Sequence, residues 1–150
     1  MDREFNKILV SYATFDPRKF ILKIGAKEAI PHLLSAIDID PSAPTGDDVM
    51  LIHDAAFTLR FLANEGFSTD IASLSAVPRI ISALKRFYNS EAAATSLINL
   101  LTSLVGNGVS SDCIEPVLEA LHYDWSPPVK NATLRLLNKL VENSKTQQSE

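Results

Sequence analysis

The feature that most narrows what this chain can fold into is a motif that returns three times. Ala29-Ile30-Pro31-His32-Leu33-Leu34-Ser35-Ala36-Ile37, Ala76-Val77-Pro78-Arg79-Ile80-Ile81-Ser82-Ala83-Leu84 and Cys113-Ile114-Glu115-Pro116-Val117-Leu118-Glu119-Ala120-Leu121 share one pattern. Each sets an apolar residue near a proline, then an apolar pair, then Ala and Ile or Leu; in the third copy the proline falls one place late. A second motif follows each one: Thr58-Leu59-Arg60-Phe61-Leu62, Ser96-Leu97-Ile98-Asn99-Leu100 and Thr133-Leu134-Arg135-Leu136-Leu137. Leu59 and Leu97 lie 38 residues apart, and Leu97 and Leu134 lie 37 apart. Ala83 to Leu97 and Ala120 to Leu134 are both 14 residues, whereas Ala36 to Leu59 is 23, so the first unit carries 9 extra. The stretch from Asp38 to Asp48 is rich in Pro, Asp and Gly and reads as the loop that holds them. A period in the high thirties to forties belongs to stacked helical units.

The units read as helices. Leu33, Leu34, Ile37 and Ile80, Ile81, Leu84 fall at i, i+1, i+4, and Leu97, Leu100, Leu101, Leu104 and Leu134, Leu137, Leu140, Val141 extend such stripes over several turns. No alternating β-branched run argues for strands. Asn89-Ser90-Glu91 marks a helix start, Asp112 and Glu115 have capping-box spacing, and Ser126-Pro127 puts proline where its missing N–H costs nothing. Pro31, Pro78 and Pro116 are expected to separate a short helix from a longer one, and Leu104-Val105-Gly106-Asn107-Gly108 to stop a helix. Phe5, Ile8, Leu9 and Tyr12 form an N-terminal apolar stripe that reads as the last helix of a truncated unit. Lys130, Arg135, Lys139 and Glu142 lie off the core stripe of the final helix, as a terminal unit needs for solubility.

The fold class read from these patterns is all-α: about three repeats of a right-handed α-solenoid after a partial N-terminal cap helix, spanning 1–143, with a polar tail at 144–150. That reading stands on Leu59, Leu97 and Leu134 doing the same job in successive units. Dissimilar surroundings for the three, or a sheet, would remove both the architecture and the docking role drawn from it.

Charge and composition bound the function. The 150 residues carry 14 basic and 18 acidic side chains, a net −4, which does not favour a general nucleic-acid binder. A single cysteine, Cys113, forms no internal disulfide and suits a reducing cytoplasm, with the nucleus also open. No apolar run approaches the ~20 residues of a membrane span, and the start of the chain does not read as a signal peptide. His32, His53 and His122 are scattered without zinc spacing, and Asp38-x-Asp40 lacks the ligand alternation of a calcium loop. With no phosphate loop and no nucleophile–base set, neither cofactor nor catalysis is expected.

From 16 to 143 the chain resembles the armadillo family, with HEAT repeats as the second choice. Ile24-Gly25-Ala26-Lys27-Glu28-Ala29-Ile30-Pro31-His32-Leu33-Leu34 is similar to the family's Gly-Ala-Ile-Pro-x-Leu signature. Ala93-Ala94-Thr95-Ser96-Leu97-Ile98-Asn99-Leu100 is similar to its Ala-rich third helix. The resemblance implies three-helix units that bind extended peptides or protein surfaces along a concave face of third helices. In that family an Asn ladder with Trp one turn earlier holds the peptide. Here the Asn column reads Phe61, Asn99, Leu136 and the Trp column Phe57, Thr95, Ala132, so only Asn99 matches and recognition of basic nuclear-import peptides does not follow.

The candidate contact residues are Phe57, Arg60, Phe61, Asn99 and Leu136, the last because it falls off the stripe of Leu134, Leu137 and Val141. Together they would form an apolar groove for a protein or extended peptide. The competing reading has both Phe side chains packed against the N-terminal helix. Between 38 and 70, seven acids (Asp38, Asp40, Asp47, Asp48, Asp54, Glu65, Asp70) face one base, Arg60, which fits either a surface that steers a basic partner or ordinary turn chemistry. Trp125, beside Tyr123 and Pro127-Pro128, reads as a partner anchor or as a lid on its own unit. The expected function is a non-catalytic adaptor or scaffold. The alternative is a structural subunit that homo-oligomerises, or joins a larger complex, through Tyr12 or Leu136.

Overall fold

The computed structural model describes residues 25–109 and 126–148, with side chains to Glu142. Six α-helices follow in order: α1 (Ala26–Ile37), α2 (Gly46–Leu62), α3 (Ser68–Ala72), α4 (Ala76–Phe87), α5 (Glu91–Gly106) and α6 (Pro127–Gln148). A π-type turn, Ala63–Phe67, joins α2 to α3. Among the described residues there is no strand, so the chain is all-α. The N-terminal stripe, Cys113, Pro116, Asp112, Glu115, His122, Tyr123 and Trp125 lie outside the described residues.

Local chemistry sets most boundaries. Thr45 and Asp48 close a reciprocal capping box at the start of α2: Thr45 N–H donates to Asp48 Oδ2 at 2.8 Å, and Asp48 N–H donates to Thr45 Oγ1 at 3.3 Å. The loop expected through Asp48 therefore ends at Thr45. α5 starts after Ser90 as expected, although the Ser90 side chain makes no cap bond, and α6 starts at Pro127. Prolines do not divide helices here. Pro31 is inside α1 and Pro78 is in the first turn of α4, where a missing N–H is tolerated. α6 continues to Gln148, past the 143/144 boundary read from the sequence.

The long helices α2, α5 and α6 lie side by side, α2 against α5 and α5 against α6, while α1 and α4 pack together as a second layer over α2 and α5. Cross-helix contacts fix the directions. His53 meets Ser96 and Asn64 meets Asn107, so both partners advance together and α2 runs parallel to α5. Asn99 meets Arg135, and a Cβ on Gly106 would meet Lys139 Cε at 3.1 Å, so α5 runs parallel to α6. The core lies between the layers, from Ile30, Leu33 and Leu34 through Ile52 and Leu59 to Leu97 and Leu101.

The repeat is present in a different register from the one expected. Ala55, Leu59 and Leu62 of α2 occupy the buried positions that Leu97, Leu101 and Leu104 occupy in α5, a step of 42 residues. Gly66 and Gly108 confirm it: both are left-handed, with φ of 103° and 89°, and both are 42 apart. Each ends a long helix in a conformation that a side chain resists. After each comes an apolar residue, Phe67 or Val109, packed against the core. From α5 to α6 the step is 35: Ala94, Leu97, Leu101 and Val105 correspond to Val129, Ala132, Leu136 and Leu140, all buried, which sets Asn99 beside Arg135.

Leu134 is accordingly not the counterpart of Leu59 and Leu97. It is 58% exposed, while they are fully buried. The required equivalence of the three leucines fails, and the architecture stands on the 42- and 35-residue register instead. The physical reason is that α6 carries two leucine stripes of equal period, Leu134-Leu137-Val141 and Ala132-Leu136-Leu140. Periodicity alone cannot choose between them; the Leu97–Leu101 ridge of α5 does.

Two arginines of α4 tie it to the end of α1. Arg79 Nε donates to Asp38 Oδ2 at 2.9 Å, and Arg86 donates to the carbonyls of Ile37 at 3.1 Å and Ile39 at 3.2 Å. α1 has no basic residue in its own last turn, so Arg86 answers carbonyls that the helix leaves open. Replacing Arg86 with Ala is expected to cost about 2 kcal/mol in denaturant unfolding, the worth of charged hydrogen bonds in a half-buried setting. Leu136→Ala is expected to cost roughly 2–5 kcal/mol, and Leu134→Ala less than about 0.5 kcal/mol; equal losses would return the register to the one read from the sequence.

Candidate functional site

The outward sides of α2, α5 and α6 form one continuous surface. From α2 come Met50, His53, Phe57, Arg60 and Phe61, spaced to share one side of the helix, and from the turn after it Asn64. α5 supplies Thr95, Ser96, Asn99 and Ser103, and α6 supplies Leu134, Arg135 and Asn138. Polar side chains bridge the helices across it. His53 Nδ1 shares a hydrogen bond with Ser96 Oγ. Asn107 Nδ2 donates to Asn64 Oδ1 at 3.2 Å, and Arg135 Nη2 donates to Asn99 Oδ1 at 3.3 Å. The His53 and Phe57 rings lie 6.5 Å apart, tilted by 33°.

Four of the five residues singled out from the sequence are on this surface. Phe57 is 45% exposed, Arg60 is exposed, and Phe61 and Asn99 are half-buried. The N-terminal helix of the competing reading lies outside the described residues. Leu136 is the exception: it is fully buried, in the stripe that packs on α5, and belongs to no groove. It also cannot serve the pairing of copies considered for it.

The register shows what the sequence reading missed. The position equivalent to Asn99 is Phe57 in α2 and Leu134 in α6, so the outward column reads Phe57, Asn99, Leu134. The column one turn earlier reads His53, Thr95, Lys130. The signal that would have found this is the pair Gly66-Phe67 and Gly108-Val109, which gives the 42-residue step directly.

Two acids of the stretch have structural partners: Asp38 pairs with Arg79 and Asp48 caps α2, while Asp40, Asp47 and Glu65 are exposed. Asp54 is only 8% exposed. Burial pushes its carboxyl above the ordinary range, and the neighbouring His53 charge pulls the other way. Among the described residues no group of three His, Cys, Asp or Glu is placed to hold a metal ion. No described helix is long and apolar enough to cross a membrane.

No family model, curated protein or solved structure matches the chain.

The raised carboxyl gives Asp54 a signed pH dependence. Below the ordinary carboxylate range both folded and unfolded chains hold the proton, so the group contributes nothing. Above the folded value the unfolded chain ionises freely while the folded chain ionises at a cost, so stability falls as pH rises through that window. Asp54→Asn is expected to raise the melting temperature at neutral pH and to lose that advantage as pH drops into the carboxylate range. Thermal melts across pH check this; a gain independent of pH would contradict it.

Proposed function

We propose that this chain is a non-catalytic adaptor or scaffold of the armadillo- or HEAT-like solenoid kind, which holds an extended segment of a partner protein on the α2–α5–α6 surface. The observation that carries the reading is the column Phe57, Asn99, Leu134 on three parallel helices, with Phe57 and Leu134 45% and 58% exposed. An extended peptide needs partners for its backbone N–H and C=O groups and pockets for alternate side chains. Asn99 brings an amide that can donate and accept. Phe57, Phe61 and Leu134 bring apolar area. Arg60 and Arg135 frame the column with positive charge, which fits a partner segment with acidic residues rather than a basic one. Asn99 alone in the column matches the ladder of the armadillo family. A single cysteine is in keeping with a reducing cytoplasm or nucleus as the place of work.

Extended peptides selected from a random display library on the intact chain test the proposal. Phe57→Asp is expected to weaken those binders by about tenfold or more, the mark of an interface anchor, and Asn99→Ala to weaken them further. Phe57 is largely exposed, so the fold should survive, as a thermal melt will show. Binders indifferent to both substitutions would remove the partner from this surface.

A further inference from the structure

The α2–α5–α6 surface has two exposed apolar posts, Phe57 and Leu134, at equivalent positions of its outer helices, with Asn99 of α5 between them. The three helices lie parallel and packed side by side. Packed helices stand about 8–10 Å apart axis to axis, so two steps set the posts roughly 16–20 Å apart. An extended chain that crosses the helices advances about 3.3 Å per residue and sends alternate side chains to the same side. Side chains that reach both posts must therefore be an even number of residues apart. Four residues cover about 13 Å and fall short, eight cover about 26 Å and overshoot, and six cover about 20 Å.

The middle of the surface is set for a backbone. A guanidinium only donates, so Arg135 turns Asn99 Oδ1 toward itself, at 3.3 Å from Nη2. Asn99 Nδ2, which has no partner among the described residues, is left to donate to a carbonyl crossing between the posts.

Charge adds the remaining constraint. Arg60 is exposed and makes no ion pair among the described residues, and the one described partner of Arg135 is the neutral Asn99. Lys130 is exposed one turn before Leu134, and Lys139 reaches across to Gly106 of α5 while pairing with Glu142 at 3.3 Å. The exposed acids Glu91 and Glu65 stand at opposite ends of the surface, at the start of α5 and in the turn after α2. The middle is thus cationic on a chain of net charge −4. An acidic segment meets opposite charge there, and a basic one meets like charge.

We infer, on the reading of this surface as a peptide site, that its occupant is an extended acidic segment with two apolar residues six apart. One apolar residue sits on Phe57 and the other on Leu134. Carboxylates between them answer Arg60 and Arg135, and a backbone carbonyl accepts from Asn99 Nδ2.

The test measures anisotropy of labelled peptides on the full chain. One peptide has two leucines six residues apart with Glu between them, one has the leucines four apart with Glu, one has them six apart with Lys, and one is a scramble of the first. The first is expected to bind at least about tenfold tighter than each of the others. Leu134→Gln is expected to weaken it about tenfold or more. Arg60→Gln is expected to weaken it about threefold and to flatten its dependence on salt. Both side chains are exposed, so the melting temperature should not move. Equal affinity for the six- and four-spaced peptides, equal affinity for the Glu and Lys peptides, no binding of any, or indifference to Leu134→Gln would overturn the inference. Binders selected from the random library separate the two proposals. Selected peptides that depend on Phe57 but lack the spacing or the acids would overturn this pattern and leave the peptide surface standing, whereas peptides indifferent to Phe57 and Asn99 would remove both.

Discussion

The structure depends on the burial of α5 from three directions. α2 lies on one flank, α6 on the other, and α4 beneath. Ala93, Ala94, Leu97, Ile98, Leu100, Leu101, Leu104 and Val105 are all sealed from solvent. Each large apolar side chain in that set contributes roughly 1.5–3 kcal/mol on leaving water. A helix apolar on every side but the one that carries Thr95, Ser96, Asn99 and Ser103 cannot stand alone, so its neighbours are obligatory. The alanines at its start let the flanking helices approach, and the leucines further along supply the ridges on which α2 and α6 set their own register.

Much of the architecture was legible in the residues. The all-α class followed from i, i+3, i+4 spacing without competing alternation, and the helix starts at Glu91 and Pro127 followed from capping chemistry. The register was not legible from the leucines, because they recur so densely that stripes one or two turns apart look alike. Leu136 and Leu134 exchanged roles for that reason: two residues on one helix lie on different sides of it, and only the neighbouring helix decides which side is inside. The glycines held better information. A left-handed turn tolerates few residues, so Gly66 and Gly108 mark the end of a unit with less ambiguity than any leucine does.

The candidate surface was half legible. Phe57, Arg60, Phe61 and Asn99 could be picked out because aromatic and amide residues interrupt an aliphatic pattern. Leu134 could not, since its place in the column depends on the 35-residue step. The acidic stretch was legible in part. Asp48 starts a helix with Thr45, three residues before it, as ordinary turn chemistry has it, whereas Asp38 answers Arg79, 41 residues away, and Asp54 is withdrawn from solvent. A distant ion pair and burial are what a local charge count does not register.

The arginine that closes α1 has an effect on how the molecule comes apart. The carbonyls of Ile37 and Ile39 belong to the first unit, and the guanidinium that satisfies them belongs to the second. Loosening α4 would strand those carbonyls, and loosening α1 would strand the guanidinium. Repeat proteins are prone to peel from their ends unit by unit. Here a pair of hydrogen bonds links the fates of the first two units, so amide protons of α1 and α4 should exchange with solvent at matched rates, as parts of one opening event rather than two.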